Sequence, residues 1–314
     1  MAKLFWTGKE RFRFVTTLGL WLEAALAALL WSLLSVLPWR RAVALGRRSI
    51  GGTGPHLAKH QHVLANLRMV CPGQSEGQIQ QTGRDVWSNL GAVLADVAHL
   101  RDIVGSKAQP SPIEVVCLNS DADFLAASRP CIFVAAHLGN WYLSVAGIRQ
   151  AGYPVDVVYS PLSNPFLDRM MQARLQALEC GFITKQNAAR PMLKALKNGR
   201  SIGLHVDVRV DGGELFPLCG ANATTTTAPA WLAQKTGCPI VPIQVKRSGD
   251  NQFRVTIFPA LPAAAPGLTP EQAIRRMTED MNAAICELIR DNPRQWLCTK
   301  RRWPKDTMQQ RGAY

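Results

Sequence analysis

Beyond Pro112 the chain repeats one alternation, a short apolar run and then a stretch with helical spacing. Ile113–Leu118, Cys131–Ala136, Val155–Tyr159, Ile202–Val206, Ile240–Val245 and Phe253–Phe258 read as strands. Helical patterns around Trp141–Gln150, Pro165–Leu178, Ala188–Lys197, Pro229–Thr236 and Pro270–Arg290 fall between or after them. Strands joined through helices pair mostly in parallel, and near-continuous apolar strands need cover on both faces. The expected fold class is therefore α/β, a mostly parallel central sheet covered by helices. Chemistry in such a sheet gathers beyond the carboxyl ends of the strands.

The N-terminal part has a different character. Val15–Leu37 is a 23-residue run whose one charge is Glu23, and about 20 apolar residues cross a bilayer core. Lys9, Arg11 and Arg13 precede it, Arg40, Arg41, Arg47 and Arg48 follow, and Trp6, Trp21, Trp31 and Trp39 supply interfacial rings. A spanning anchor is the leading reading. An in-plane interfacial helix is favoured by Glu23, because a carboxylate in lipid is costly, and a core helix of a soluble protein also passes the same test. The basic cluster after Pro38 suits anionic headgroups. Gly51-Gly52-Thr53-Gly54-Pro55 reads as a linker. It divides residues 1–50, anchor and basic linker, from a unit of residues 51–314. That unit opens with helical patterns over His56–Val70 and Gln74–Leu100.

The most informative stretch is Cys131-Ile132-Phe133-Val134-Ala135-Ala136-His137-Leu138-Gly139-Asn140-Trp141-Tyr142. An apolar strand runs into a histidine, Gly139-Asn140 turns the chain, and an apolar helix follows. His137 thus lies at a strand's carboxyl end beside a helix start, where a general base belongs in this architecture.

His137-Leu138-Gly139-Asn140-Trp141 resembles the core motif of the bacterial late acyltransferases of lipid A biosynthesis, within the lysophospholipid acyltransferase superfamily, whose signature is a histidine, four residues and an acid. Other segments are similar to that family in the same order. They are His62–Leu67 running to Cys71-Pro72, Asn164-Pro165 to Arg174, Phe216-Pro217-Leu218-Cys219-Gly220 with the threonines after it, Ala230–Pro242, and Asn292–Leu297 with Lys300-Arg301-Arg302-Trp303. The resemblance implies a membrane-bound acyltransferase at the cytoplasmic face of a bacterial inner membrane. It would move a fatty acyl chain from an acyl carrier protein thioester to a hydroxyl of a lipid A precursor or related glycolipid, without a cofactor or metal. His137 would be the general base. Arg174, Asn164, Gly139 and Asn140 would be substrate-binding, Arg174 by gripping phosphate or oxyanion and the last two by shaping the turn.

One position departs from the pattern: the residue five after His137 is Tyr142, a phenol that is neutral at pH 7. Asp207, after the strand Ile202–Val206 and close to His205, is the best substitute acid. Tyr159-Ser160-Pro161 and Asp207-Val208 also replace the family's Tyr-Arg-Pro and Asp-Gln. The catalytic candidates are thus His137, Tyr142 and Asp207. Two alternatives stay open: a catalytically impaired homologue that binds or presents lipid, and an enzyme acting on a different acceptor such as an aminolipid.

The formal charge of +14, from 36 lysines and arginines against 22 acids, suits an acidic carrier and a phosphorylated lipid. Nucleic acid is not expected as a partner, since no binding module accompanies the basic tail. His56, His60 and His62 do not share one helical face and no carboxylate joins them, so no metal is expected. Neither a P-loop nor a dinucleotide fingerprint occurs. Thr224–Thr227 before Ala228-Pro229 reads as a helix cap, with phosphate binding at that helix start as the sharper alternative. The 8 cysteines form no C-x-x-C pair and read as small buried hydrophobes in a reducing compartment.

Overall fold

The computed structural model describes residues 13–105, 111–120, 124, 129–249 and 251–314. Trp6, Lys9, Arg11 and the Arg13 side chain lie outside the described residues. Four N-terminal helices, α1 (Arg13–Val36), α2 (Trp39–Thr53), α3 (His60–Val70) and α4 (Glu76–Ala98), lead to a short α5 (Leu100–Val104). The α/β part follows as β1 (Ile113–Cys117), β2 (Ile132–Ala135), α6 (Leu143–Gln150), β3 (Val155–Tyr159), α7 (Pro165–Leu175), β4 (Gly181–Thr184), α8 (Ala189–Lys197) and β5 (Ser201–His205). Then come β6 (Glu214–Leu218), β7 (Ala221–Thr225), α9 (Ala228–Thr236), β8 (Ile240–Ser248), β9 (Gln252–Ile257), α10 (Pro270–Asp291) and α11 (Lys305–Gln310).

Seven strands form one sheet in the order β1-β9-β8-β2-β5-β3-β4. Every neighbouring pair is parallel except β8 and β9, as the helix-joined apolar runs imply. All four residues of β2 are buried, and its alternation splits the core in two. Ile132 and Val134 pack with Met192, Leu196 and Leu232 on one face. Phe133 and Ala135 pack with Leu143, Ile148 and Leu175 on the other. The hairpin of β6 and β7 and the edge strand β4 do not stand out in the sequence. In β4 only Ile183 of four residues is buried, and the strand is short.

Local chemistry sets several helix ends. Ser75 and Gln78 form a capping box at the start of α4, and Thr269 and Gln272 form another at α10. Asn164 accepts from Phe166 N and Leu167 N to start α7, with Pro165 in its first turn.

Two expectations need correction. The glycine run at residues 51–55 is not an extended linker: Gly51–Thr53 complete α2, and Gly54–His56 form a 3-10 turn packed on Trp87. The small residues serve helix contact instead. A Cβ on Gly46 would lie 2.3 Å from the Gly91 carbonyl oxygen, so α2 and α4 cross backbone to backbone. Second, Cys219 and Cys286 are disulfide-bonded, with Cα atoms 5.4 Å apart. The β6–β7 turn lies on α10, a juxtaposition that a 67-residue separation hides.

The apolar helix α1 is docked along its length. Asn164 Nδ2 donates to Leu20 O at 2.9 Å and to Glu23 Oε2 at 3.0 Å. Trp31 Nε1 donates to Leu94 O at 3.2 Å, and His99 Nε2 meets Leu34 O at 2.9 Å. The opposite face, with Leu22, Leu26, Leu29, Leu33 and Val36, is exposed. The segment Thr17–Val36 has a mean hydropathy of 1.7.

Candidate active site

Parallel register brings the site together. Ala135 at the end of β2 faces His205 at the end of β5. Two residues further on each chain stand His137 and Asp207. His137 Nδ1 lies 2.8 Å from Asp207 Oδ1, and the His137 backbone N–H donates to Asp207 Oδ2 at 3.0 Å. Trp296 Nε1, from the segment after α10, donates to the same Oδ2 at 2.8 Å. The carboxylate is thus held by three donors and is 1% exposed, while the histidine side chain keeps 26%. Trp141 and the imidazole meet in a T-shaped contact, 5.3 Å between centroids.

Burial alone would lower the pKa of His137, but the Asp207 charge and hydrogen bond outweigh it and hold the value above the usual imidazole range. Burial pushes the Asp207 carboxyl up. His137 and its two hydrogen bonds pull it down further, well below the usual carboxylate range. With Nδ1–H donated to Asp207, Nε2 keeps its lone pair, as a general base requires.

The turn after His137 is held from beneath. Gly139 has φ of +58°, and a Cβ there would lie 2.4 Å from the Val245 carbonyl oxygen; only glycine fits. Its carbonyl accepts from Asn89 Nδ2 at 3.0 Å, and its N–H donates to Gln295 O at 3.1 Å. Asn140 is fully buried and donates to Asp96 Oδ2 at 3.0 Å. Asp96 also accepts from Trp39 Nε1 at 3.0 Å and pairs with the buried Arg247.

The sequence candidates therefore separate. His137 and Asp207 meet. Tyr142 does not take the acid's place: it stands at the start of α6 against Trp141, and burial pushes its phenol up to about 12. Gly139 and Asn140 shape the turn, and Asn140 is fully buried. Asn164 is 3% exposed and is spent on capping α7 and holding α1. The Arg174 guanidinium lies 4.7 Å from the Trp31 ring centroid, a contact that ties α7 to α1. Thr224 and Thr225 belong to β7, where Thr224 O and Thr225 Oγ1 accept from the buried Arg302 at 2.7 and 2.9 Å. Thr227 is the N-cap residue of α9 but makes no side-chain cap bond, and Thr226 Oγ1 before it accepts from Ala228 N at 3.2 Å.

Sequence reasoning did not assign Trp296 to the site, nor Asp96 and Arg247 to its support. The signal for Asp96 was an acid between the apolar Val93 and Val97 of one helix, since a buried charge needs a partner.

Comparison with known proteins identifies the family. A curated lipid A biosynthesis acyltransferase from Haemophilus influenzae is 23% identical over 238 residues, covering 73% of each chain. The crystal structure of the 1-acyl-sn-glycerophosphate acyltransferase of Thermotoga maritima aligns over 73% of this chain and 93% of its own. Its TM-score is 0.36 at 15% identity, too low to bear on the fold. The family model described as bacterial lipid A biosynthesis acyltransferase matches residues 7–305, nearly all of the sequence, dyad and supporting turn included. The chain belongs to that family, and it is an acyltransferase acting on lipid.

Proposed function

We propose that the protein transfers a fatty acyl chain from acyl carrier protein to a hydroxyl of a lipid A precursor, at the cytoplasmic face of a bacterial inner membrane. The observation that carries this reading is the His137–Asp207 dyad, placed at the carboxyl ends of β2 and β5 in a member of this family. His137 Nε2 takes the proton from the acceptor hydroxyl as its oxygen adds to the thioester carbonyl carbon. The tetrahedral intermediate collapses with cleavage of the carbon–sulfur bond. The imidazolium, steadied by Asp207, returns the proton to the departing thiolate. The dyad favours this enzymatic reading over a lipid-binding homologue without catalysis.

In this reading residues 1–50 are the anchor and residues 51–314 the acyltransferase unit, joined within helix α2 rather than through a linker. The outer face of α1 meets lipid while its inner face stays with the domain. The exposed Arg40, Arg41, Arg47 and Arg48 of α2 lie beside anionic headgroups.

The test is transfer of labelled acyl chains from acyl carrier protein to a lipid A precursor by wild type and by His137→Ala. Wild-type turnover that drops to background in the variant supports the proposal. Equal rates in the two proteins overturn it. Tyr142→Phe is expected to keep its rate within about 3-fold of wild type, because Asp207 already orients the imidazole. A loss of ~10³ or more in that variant would restore Tyr142 to the mechanism.

A further inference from the structure

His205 is the last residue of β5, and its ring lies under that of His137, 4.5 Å between centroids and tilted by 30°. Its Nε2 is buried and has no hydrogen-bond partner among the described residues. A buried polar nitrogen without a partner is unfavourable, and such an atom beside a catalytic group points to a missing ligand. The ring borders a small cavity between the sheet and α6, lined by Phe133, Ile148, Val157, Gly203 and Ile243. That lining is apolar, and the cavity of about 10 Å³ has room for one water-sized group, such as a carbonyl oxygen, and not for a hydrocarbon chain. Ser144 also borders the cavity, but its hydroxyl is donated to Trp141 O at 2.7 Å.

We infer that His205 is a second catalytic histidine, whose Nε2–H donates to the carbonyl oxygen of the acyl thioester at the mouth of this cavity. The inference rests on the acyl-transfer reading given above. As the acceptor oxygen adds to the carbonyl carbon, its proton passes to His137 Nε2. The carbonyl π pair moves onto oxygen, where the His205 N–H meets it. Collapse reforms the carbonyl, breaks the carbon–sulfur bond, and the His137 proton goes to the thiolate. A neutral donor is needed so close to an imidazolium. Burial first, and then the positive charge on His137, push the His205 pKa down to about 3, against the opposing pull of Asp207. His205 therefore stays uncharged while His137 carries its proton, and an uncharged imidazole still has one N–H to give.

Two measurements test this. In kinetics, His205→Phe keeps a ring under His137 but removes the donor. Loss of one such donor lowers kcat by ~10²–10³. A comparable loss is expected here, with KM for the acyl donor changed less than about 3-fold. His205→Gln, which restores an N–H, is expected to recover at least about 10-fold of that loss. A His205→Phe enzyme within about 3-fold of wild type, or equal losses in the Phe and Gln variants, overturns the inference. The second measurement needs no turnover. Histidine ring nitrogens of the 15N-labelled full chain are followed as dodecanoate is added, with His205 assigned by its loss in His205→Phe. A shift of its Nε2–H resonance on saturation supports a hydrogen bond to the ligand's oxygen, and an unmoved resonance overturns it. If wild type and His137→Ala transfer equally, the proposed function fails, and the spectra decide His205 on their own.

Discussion

Asp207→Asn is expected to lower kcat by up to ~10⁴, the cost of the same exchange in a Ser-His-Asp triad, and to lose the stability that the charged carboxylate contributes by pairing with His137. The reason is the orientation that the amide must adopt. Asp207 Oδ2 accepts from two N–H groups, the His137 backbone and the Trp296 indole. In the variant the single amide oxygen has to occupy that place. The NH2 group then faces His137 Nδ1, where a carboxylate oxygen stood at 2.8 Å. It donates there, so the imidazole carries its proton on Nε2 and has no lone pair for the acceptor hydroxyl. The charge that stabilises the imidazolium is lost as well. Steady-state transfer rates with the fold checked by circular dichroism measure this, and a variant within about 10-fold of wild type would sink the dyad mechanism.

The pH dependence has a definite sign. His137 works as the neutral imidazole, and its pKa is held above the ordinary ~6.5 by Asp207. The rate should therefore rise with pH through a midpoint above that value. The same shift contributes stability that is fully present below ~6.5 and is lost as pH rises through the folded-state value. For Asp207, whose pKa is depressed, the contribution is present above ~3.9 and is lost as pH falls through the folded-state value.

The second large effect concerns stability. Asp96→Ala is expected to cost ~3–5 kcal/mol, the range for breaking a buried ion pair from one side. Asp96 and the Arg247 side chain are both essentially inaccessible, at 0% and 1% exposure. Removing the carboxylate leaves a guanidinium uncompensated in the core, and it also strands the Trp39 indole N–H and the Asn140 amide. Those donors come from α2 and from the turn after His137, so the loss loosens the N-terminal helices and the catalytic turn together. A double variant, Asp96→Ala with Arg247→Met, is expected to recover much of the loss, because it removes the stranded charge. Denaturant unfolding in detergent measures both. A single variant that costs under ~1 kcal/mol would show that the pair is not buried as described.

The sheet was largely legible in the sequence because its central strands β2 and β8 are buried on both faces and appear as nearly continuous apolar runs, while β3 and β9 carry apolar residues broken by single polar ones. Val155–Tyr159 was recovered residue for residue. The edge strand β4 and the β6–β7 hairpin were not, since neither needs such a run. Glycines 51 and 54 misled for a related reason. Glycine marks flexible chain and close helix contact alike, and only the neighbour, here α4 with Ser88 and Trp87, tells them apart.

The site divides along the same line. Local pattern alone placed His137 after an apolar strand and before a glycine turn, because strand, turn and helix are properties of adjacent residues. Its orienting acid was only a candidate in the sequence, since the carboxylate lies 70 residues away. What joins the two is the register of β2 against β5, which depends on backbone hydrogen bonds between distant segments. The same holds for Trp296, for the Asp96–Arg247 pair beneath the turn and for the His205 ring under the base. Each is a contact between separate elements, which composition and spacing leave open and which packing around a common core decides.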